Sequence, residues 1–354
     1  MRRLLAAFFP ILAACAADPP AEAAGTRVVP EPVPVHAPAV RRYLAPYFPT
    51  TPPVVDGLLD DPAWATAPWS EPFVDIAGLR RPRPHLDTRM RVGWDDSTFY
   101  LAARLEEPDV WATLVTRDTV IFHDNDFEVF LDPDGDTHDY AELEINALGT
   151  VWDLLLERPY RDGGPAVTTW DVAGLRSAVH IDGTLNDARD RDRGWSVELG
   201  IPFSALGRSR PADGEQWRVN FSRVQWALER TGTGYRKRAG PEQNWVWSPQ
   251  GLVNMHLPEL WGVVQFGGSP RPLDDQVERW ALRRVYYAQR AYHASTGVYS
   301  TELAAIGLTD LRDHVRLTGT GRGYVAGVQT ASGDSLLISE DGRLSLDSRR
   351  TTYD

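Results

Sequence analysis

The chain has 354 residues and a formal net charge of −12, with 42% hydrophobic and 24% charged residues. That composition excludes a disordered chain and a multi-span membrane protein, and an acidic surface with Lys237 as its sole lysine argues against wrapping nucleic acid. The single cysteine, Cys15, excludes an intrachain disulfide framework and any cysteine-based metal cluster. At this length one sizeable domain with an appendage, or two domains, is expected.

Residues 1–15 read as an export signal. Arg2 and Arg3 precede a short apolar run from Leu4 to Leu12 that is interrupted by Pro10 and too short to span a bilayer. Its end, Leu12-Ala13-Ala14-Cys15, resembles the bacterial lipobox. The resemblance implies cleavage before Cys15, lipidation of that cysteine, and an exported, membrane-anchored lipoprotein of the bacterial cell envelope. Residues 16–52, rich in Pro and Ala, are expected to be an extended tether.

From 53 to 268 the chain reads as short alternating strands between turn residues, the pattern of an all-β antiparallel sandwich of jelly-roll type. Thr88 to Trp94 and Thr98 to Leu105 form a hairpin around Asp95-Asp96-Ser97. Phe127, Val129 and Leu131 share one strand face, with Asp126, Glu128, Phe130 and Asp132 on the other. Glu142, Glu144 and Asn146, and likewise Arg218, Asn220 and Ser222, fall on non-core faces; in one sheet they would build a hydrogen-bonding surface. Trp245 and Trp247, two apart, share a face.

Residues 269–354 change period. Val277, Trp280, Ala281, Val285, Ala288, Ala291 and Tyr292 recur at helical spacing between Asp274 and His293, and weak strands follow over 315–318, 323–329 and 335–338. This small α+β unit is similar to the soluble part of pilin-like proteins; the alternative is a lid packed on the sandwich.

An ordered series of motifs runs through the sandwich. It comprises Val54-Val55-Asp56-Gly57 with Asp61-Pro62-Ala63-Trp64, the run Asp124 to Asp136, Glu144-Ile145-Asn146-Ala147, Gly194 to Glu198, and Asn254-Met255-His256-Leu257-Pro258-Glu259-Leu260-Trp261-Gly262. Over about 53–268 the chain resembles the carbohydrate-binding module family 9-like domain, a β-sandwich found on xylanases and in many secreted bacterial proteins. The resemblance implies binding of a carbohydrate ligand, often with structural calcium, and no catalysis by the domain. Sugar-binding members sandwich a terminal sugar between two aromatic rings; Phe122 and Met255 stand at those places here. Glu128 matches an acid that binds sugar hydroxyls, and Glu144 stands where those members place an arginine.

The chemistry of a pyranose asks for the same groups independently, because its apolar C–H faces need a flat apolar partner and its hydroxyl rim needs convergent polar atoms. Phe122, His123, Trp152, Trp245 and Trp247 lie beside such groups, Glu128, Glu144, Asn146 and Gln250. The candidate ligand-binding residues are Phe122, His123, Glu128, Glu144, Asn146, Trp152 and Trp247, with Met255 and His256 added by what the resemblance implies. Asp132, Asp134 and Asp136, with Asp139 nearby, offer the oxygen ligands that Ca²⁺ prefers, and Asp126 and Glu128 could add to them. A solvated acidic turn is the other reading of that loop, and no histidine spacing supports zinc. Two alternatives to a non-catalytic binding protein stay open. One is a glycoside hydrolase using two of Glu128, Glu142, Glu144 and Asp153; the other is a b-type haem-binding electron carrier using Met90 or Met255 with His256.

Overall fold

The structure, a computed structural model, describes residues 32–347. Cys15, its lipobox and the first part of the Pro/Ala-rich segment lie outside the described residues. In chain order the strands are β1 (Arg42–Ala45), β2 (Val74–Asp75), β3 (Thr88–Trp94), β4 (Thr98–Glu106), β5 (Asp126–Asp132), β6 (Tyr140–Asn146) and β7 (Val151–Leu156). Then follow β8 (Ala166–Val167), β9 (Arg176–Asp182), β10 (Gly194–Pro202), β11 (Gln216–Gln225), β12 (Leu228–Thr231), β13 (Gly234–Lys237), β14 (Gln243–Val246) and β15 (Gly262–Phe266). The helix α1 (Gln276–Thr296) precedes β16 (Arg316–Gly319), β17 (Tyr324–Gln329), β18 (Ser335–Ser339) and β19 (Leu344–Asp347).

The fold is the expected β-sandwich with a small C-terminal appendage. A nine-stranded sheet in the order β1-β15-β11-β5-β6-β7-β8, with β14 and β2 continuing from the far end of β11, faces a four-stranded sheet β3-β4-β10-β9. Alternation explains the layering: Phe127, Val129 and Leu131 of β5, Leu143 and Ile145 of β6, and Trp217, Val219 and Phe221 of β11 all enter the core between the sheets. The opposing sheet contributes Met90, Val92, Leu101, Val197 and Leu199.

The opening and closing motifs build the scaffold. Glu198 of β10, buried, takes the Trp64 indole N–H at 2.6 Å and the backbone N–H groups of Asp56 and Gly57 at 3.0 and 2.8 Å. Gly57 has φ +88°, and a Cβ there would lie 2.8 Å from the backbone of β9, so only glycine fits. At the other end, a Cβ on Gly262 would meet the Trp247 ring at 2.3 Å.

Two expectations are corrected. The sheet begins at Arg42, inside the segment expected to be tether, because Tyr43 and Ala45 point into the core and β1 pairs with β15. That pairing is parallel, so the sandwich is antiparallel except at this edge. The tail differs in detail: α1 reaches Thr296, where Gly297 at φ 78° returns its N–H to the His293 carbonyl, and β19 adds a fourth strand.

The C-terminal unit is docked on the sandwich. Its core includes Trp280, Leu282, Val285 and Tyr286 together with Leu252, Leu257 and Leu260 from the closing motif. Arg161 of the sandwich pairs bidentately with Glu259 at 2.8 and 3.1 Å, and Tyr287 of α1 donates to the same Glu259 carboxylate. Tyr286 and Arg290, also on α1, both donate to Asp162.

Candidate functional site

The outer face of the large sheet carries the polar residues, and strand register aligns them. Ser222 of β11 lies opposite Glu128 of β5, Glu128 opposite Glu144 of β6, and Glu144 opposite Trp152 of β7. Directly opposed residues in an antiparallel pair share a face, so these four form one row across four strands. Asp126 flanks the row on one side; Phe130 and Glu142, opposite one another, flank it on the other.

This face is covered. Segment 110–124 and the closing motif fold over it, and Phe130, Tyr140, Trp152, Leu154 and Trp261 make a second apolar cluster there, bordered by Phe122, Tyr160 and Met255. Asp126 is fully buried, Glu144 is 1% exposed, and Glu128 and Glu142 are 5% and 6% exposed. Oxygens of Asp126, Glu128 and Glu144 all lie within 4.8 Å of one another. Among the described residues, no ion pair reaches Asp126, Glu128, Glu142 or Glu144.

Burial and mutual repulsion raise these acids. Asp126 is held well above the carboxylate range, by burial first and then by the Glu128 charge. Burial, opposed by the Ser222 hydroxyl and aided by Glu242, brings Glu128 to about 7. Glu142 is raised by burial and Glu128, and Glu144 by burial and Asp126. Hydrogen-bonding capacity is left over in the same place: Asp126 Oδ2, Glu142 Oε2, Ser222 Oγ and Trp152 Nε1 are buried without a partner of normal geometry. Glu144 Oε2 accepts the Phe122 backbone N–H at 2.9 Å.

The candidate residues divide. Phe122 and Met255, half-buried, border the same apolar cluster as Trp152, so the structure brings these three together. Gln250 joins them by donating to the Met255 carbonyl at 3.3 Å and to its sulfur at 3.4 Å. His123 is exposed beside Phe122, with its ring lowered in pKa by burial and by Lys237, which donates to the His123 carbonyl. His256 serves the scaffold: its Nδ1 meets the Tyr140 hydroxyl at 2.9 Å, its ring packs on Tyr160, and burial with the Arg161 charge pushes it down to about 3. Met90, the haem alternative's other methionine, is fully buried between the sheets.

Two candidates are corrected. Trp247 is fully buried in the inter-sheet core against Phe221, so it has no free ring face for a sugar; its face, shared with Trp245, is the inner one. Asn146 is also fully buried and committed: its Nδ2 donates to the Leu114 carbonyl and Asp124, and its Oδ1 accepts from Leu148 and Thr150. It pins segment 110–124 to the β6–β7 turn. Ser222 joins the row instead, and Asp126 and Glu142 flank it. Their strand alternation put them on this face, but only register brings them together.

The acidic loop stands apart from the row. Asp132, Asp134 and Asp136 converge within 4.8 Å as their own group, without Asp126 or Glu128. Asp132 accepts the N–H groups of Gly135 and Thr137, both at 3.0 Å. Asp134 pairs with Arg208, and Asp136 with Arg343 at 2.7 Å, while Arg343 also reaches Asp139 at 3.0 Å. Burial and the neighbouring acids raise Asp132 and Asp136.

A protein structure from Bacteroides uniformis ATCC 8492 shares 18% identity at a TM-score of 0.48, covering 64% of this chain and 100% of that one. A carbohydrate binding module family 9 from Caldicellulosiruptor kristjanssonii, solved with cellotriose and with glucose, shares 15% identity at a TM-score of 0.42; it covers 66% of this chain and 100% and 99% of those two. Among curated proteins none matches this chain. The model of the carbohydrate family 9 binding domain-like family matches residues 55–264, well over half of the chain, running from the Glu198 clasp through both sheets to β15. On that match the chain belongs to the carbohydrate family 9 binding domain-like family.

Proposed function

We propose that this protein is a non-catalytic carbohydrate-binding protein of the bacterial cell envelope, anchored by lipid on Cys15, and that it recognises a polysaccharide or oligosaccharide on the outer face of its large sheet. One observation carries the reading: a row of polar side chains, Ser222, Glu128, Glu144 and Trp152, bordered by Phe122 and Met255, in which Ser222 Oγ and Trp152 Nε1 lack a hydrogen-bond partner of normal geometry. A hydroxyl rim can satisfy such atoms, both donors and acceptors, while a sugar's C–H face packs on the apolar border. The test is a glycan array on the full chain, followed by calorimetry with glucose and cellotriose. Retention of carbohydrate by the parent, weakened in Glu128→Gln, supports the reading; no retention of any glycan refutes it.

Two parts of the reading extend it. Cys15→Ser is expected to move the protein from the membrane to the soluble fraction, and a membrane-retained variant would remove the anchor. A structural Ca²⁺ at Asp132, Asp134 and Asp136 is supported by the convergence of their oxygens, and it would compete there with Arg208 and Arg343. Calcium bound there raises the melting temperature of the parent and does so less in Asp134→Asn; equal shifts would exclude the loop.

A further inference from the structure

A small cavity lies where the C-terminal unit meets the sandwich, and arginines line it. Arg218 comes from β11, Gln276, Arg279 and Arg283 from α1, Glu259 from the closing motif and Leu344 from β19; the space they enclose is about 20 Å³. That is room for about one water-sized species. A guanidinium has five N–H donors and no acceptor, and a buried one is ordinarily met by a counter-charge. Among the described residues none of these three arginines takes part in an ion pair. Arg218 donates to the Trp261 carbonyl at 2.9 Å, Arg279 to the Gly135 carbonyl at 2.9 Å, and Arg283 through Nη2 to the Thr137 hydroxyl at 3.3 Å. The independent sign of a ligand is what remains of Arg283: the residue is 1% exposed, and its Nε and Nη1 are buried with no hydrogen-bond partner. Glu259, the acid in this lining, is committed to Arg161 and Tyr287 and attracts Arg218 and Arg283 only from beyond ion-pair distance.

We propose that Arg218, Arg279 and Arg283 hold a small inorganic anion of the chloride class, and that this ion braces the C-terminal unit against the sandwich. Water in the cavity could accept from the free Arg283 N–H groups, but it would offset none of the charge; an anion does both. The cations crowd one another there, since Arg218 is lowered to about 10 by burial first and then by the Arg279 charge. The amino end of α1, which opens at Gln276 in the same lining, adds its partial positive charge. Size selects the class: the space suits a monatomic ion, whereas a tetrahedral oxyanion carries four oxygens around its centre. Two of the arginines belong to α1 and the third to β11, so one ion between them ties the two units together. This site is separate from the outer face of the large sheet and does not depend on the carbohydrate-binding reading.

The test uses the full chain with chloride as the probe, and methanesulfonate, too large for the cavity, replaces it at constant ionic strength. Broadening of the chloride resonance measures binding to the parent, to Arg283→Met and to Arg279→Gln, each checked by circular dichroism. Methionine follows the arginine stem and removes a buried charge, so the first variant should fold; Arg279→Gln, at a half-buried position, decides the matter if it does not. Chloride is expected to raise the melting temperature of the parent saturably, and to bind each folded variant roughly tenfold or more weakly. Proteolysis within residues 269–275 of the parent should be slower in chloride than in methanesulfonate. Equal melting of the parent in the two salts overturns the site and leaves water in the cavity. Chloride binding that persists undiminished in a folded variant places the ion elsewhere and overturns it too. Binding lost in the variants, with proteolysis of the parent equal in both salts, supports the anion site and overturns its part in bracing the two units.

Discussion

Glu259→Gln should loosen the C-terminal unit from the sandwich. The Glu259 side chain is 6% exposed and that of its partner Arg161 is 1% exposed, with Tyr287 of α1 donating to the same carboxylate. Burial alone would raise this acid, but the charges of Arg161 and Arg283 prevail and hold it at about 2, against an ordinary value of 4.5. At neutral pH that difference is worth about 3 kcal/mol. Breaking one partner of a buried pair generally costs up to about 3–5 kcal/mol, because Arg161 would stay charged with only Asp162, at 3.2 Å, left to pair with it. The sign follows from the lowered folded-state value: the contribution is full above pH 4.5 and is lost as pH falls through 2. Urea unfolding of parent and variant at a series of pH values gives the gap directly, and taking the difference cancels the opposite pH trend of the buried acid row. We expect a gap of about 3 kcal/mol at pH 7, smaller by about 1 kcal/mol at pH 3.5. Limited proteolysis within residues 269–275 should be faster in the variant. A gap under about 1 kcal/mol at pH 7, or one that does not shrink on acidification, would refute the argument.

Three contrasts follow from the same structure. Trp247→Ala should cost about 3–5 kcal/mol in urea unfolding, as truncation of a core aromatic does, with glycan affinity unchanged in the fraction that stays folded. Trp152→Phe keeps most of the ring but deletes the unpartnered N–H, so stability should stay within about 1 kcal/mol of the parent while carbohydrate binding weakens by about 0.5–1.5 kcal/mol in calorimetry. Equal effects of the two substitutions on binding would contradict the assignment of faces. Trp64→Phe removes a 2.6 Å hydrogen bond to Glu198 and leaves that buried oxygen short of a donor, an expected loss of about 1–3 kcal/mol in a melt; a neutral result would show the clasp is dispensable.

Much of this molecule was legible in the residue order. Period-two alternation assigned the strands around Phe127–Leu131 and Trp217–Phe221, the switch to helical spacing located α1, and the motif series marked the family. Those signals are local, since a strand's two faces differ in polarity over a few residues. Alternation names two faces without saying which is covered. It grouped Trp245 with Trp247, and only the packing of the two sheets turned that pair inward. It set Glu142, Glu144 and Ser222 on non-core faces, yet the register of β11, β5, β6 and β7 aligned them and the fold of 110–124 over the sheet buried them. The same distance from sequence explains β1, whose partner β15 lies more than two hundred residues away, and Asn146, whose bonds go to a segment about thirty residues earlier. Burial without a counter-charge, the property that makes the acid row chemically distinctive, is a sum over contacts from several strands and loops, and so the tertiary structure alone decides it.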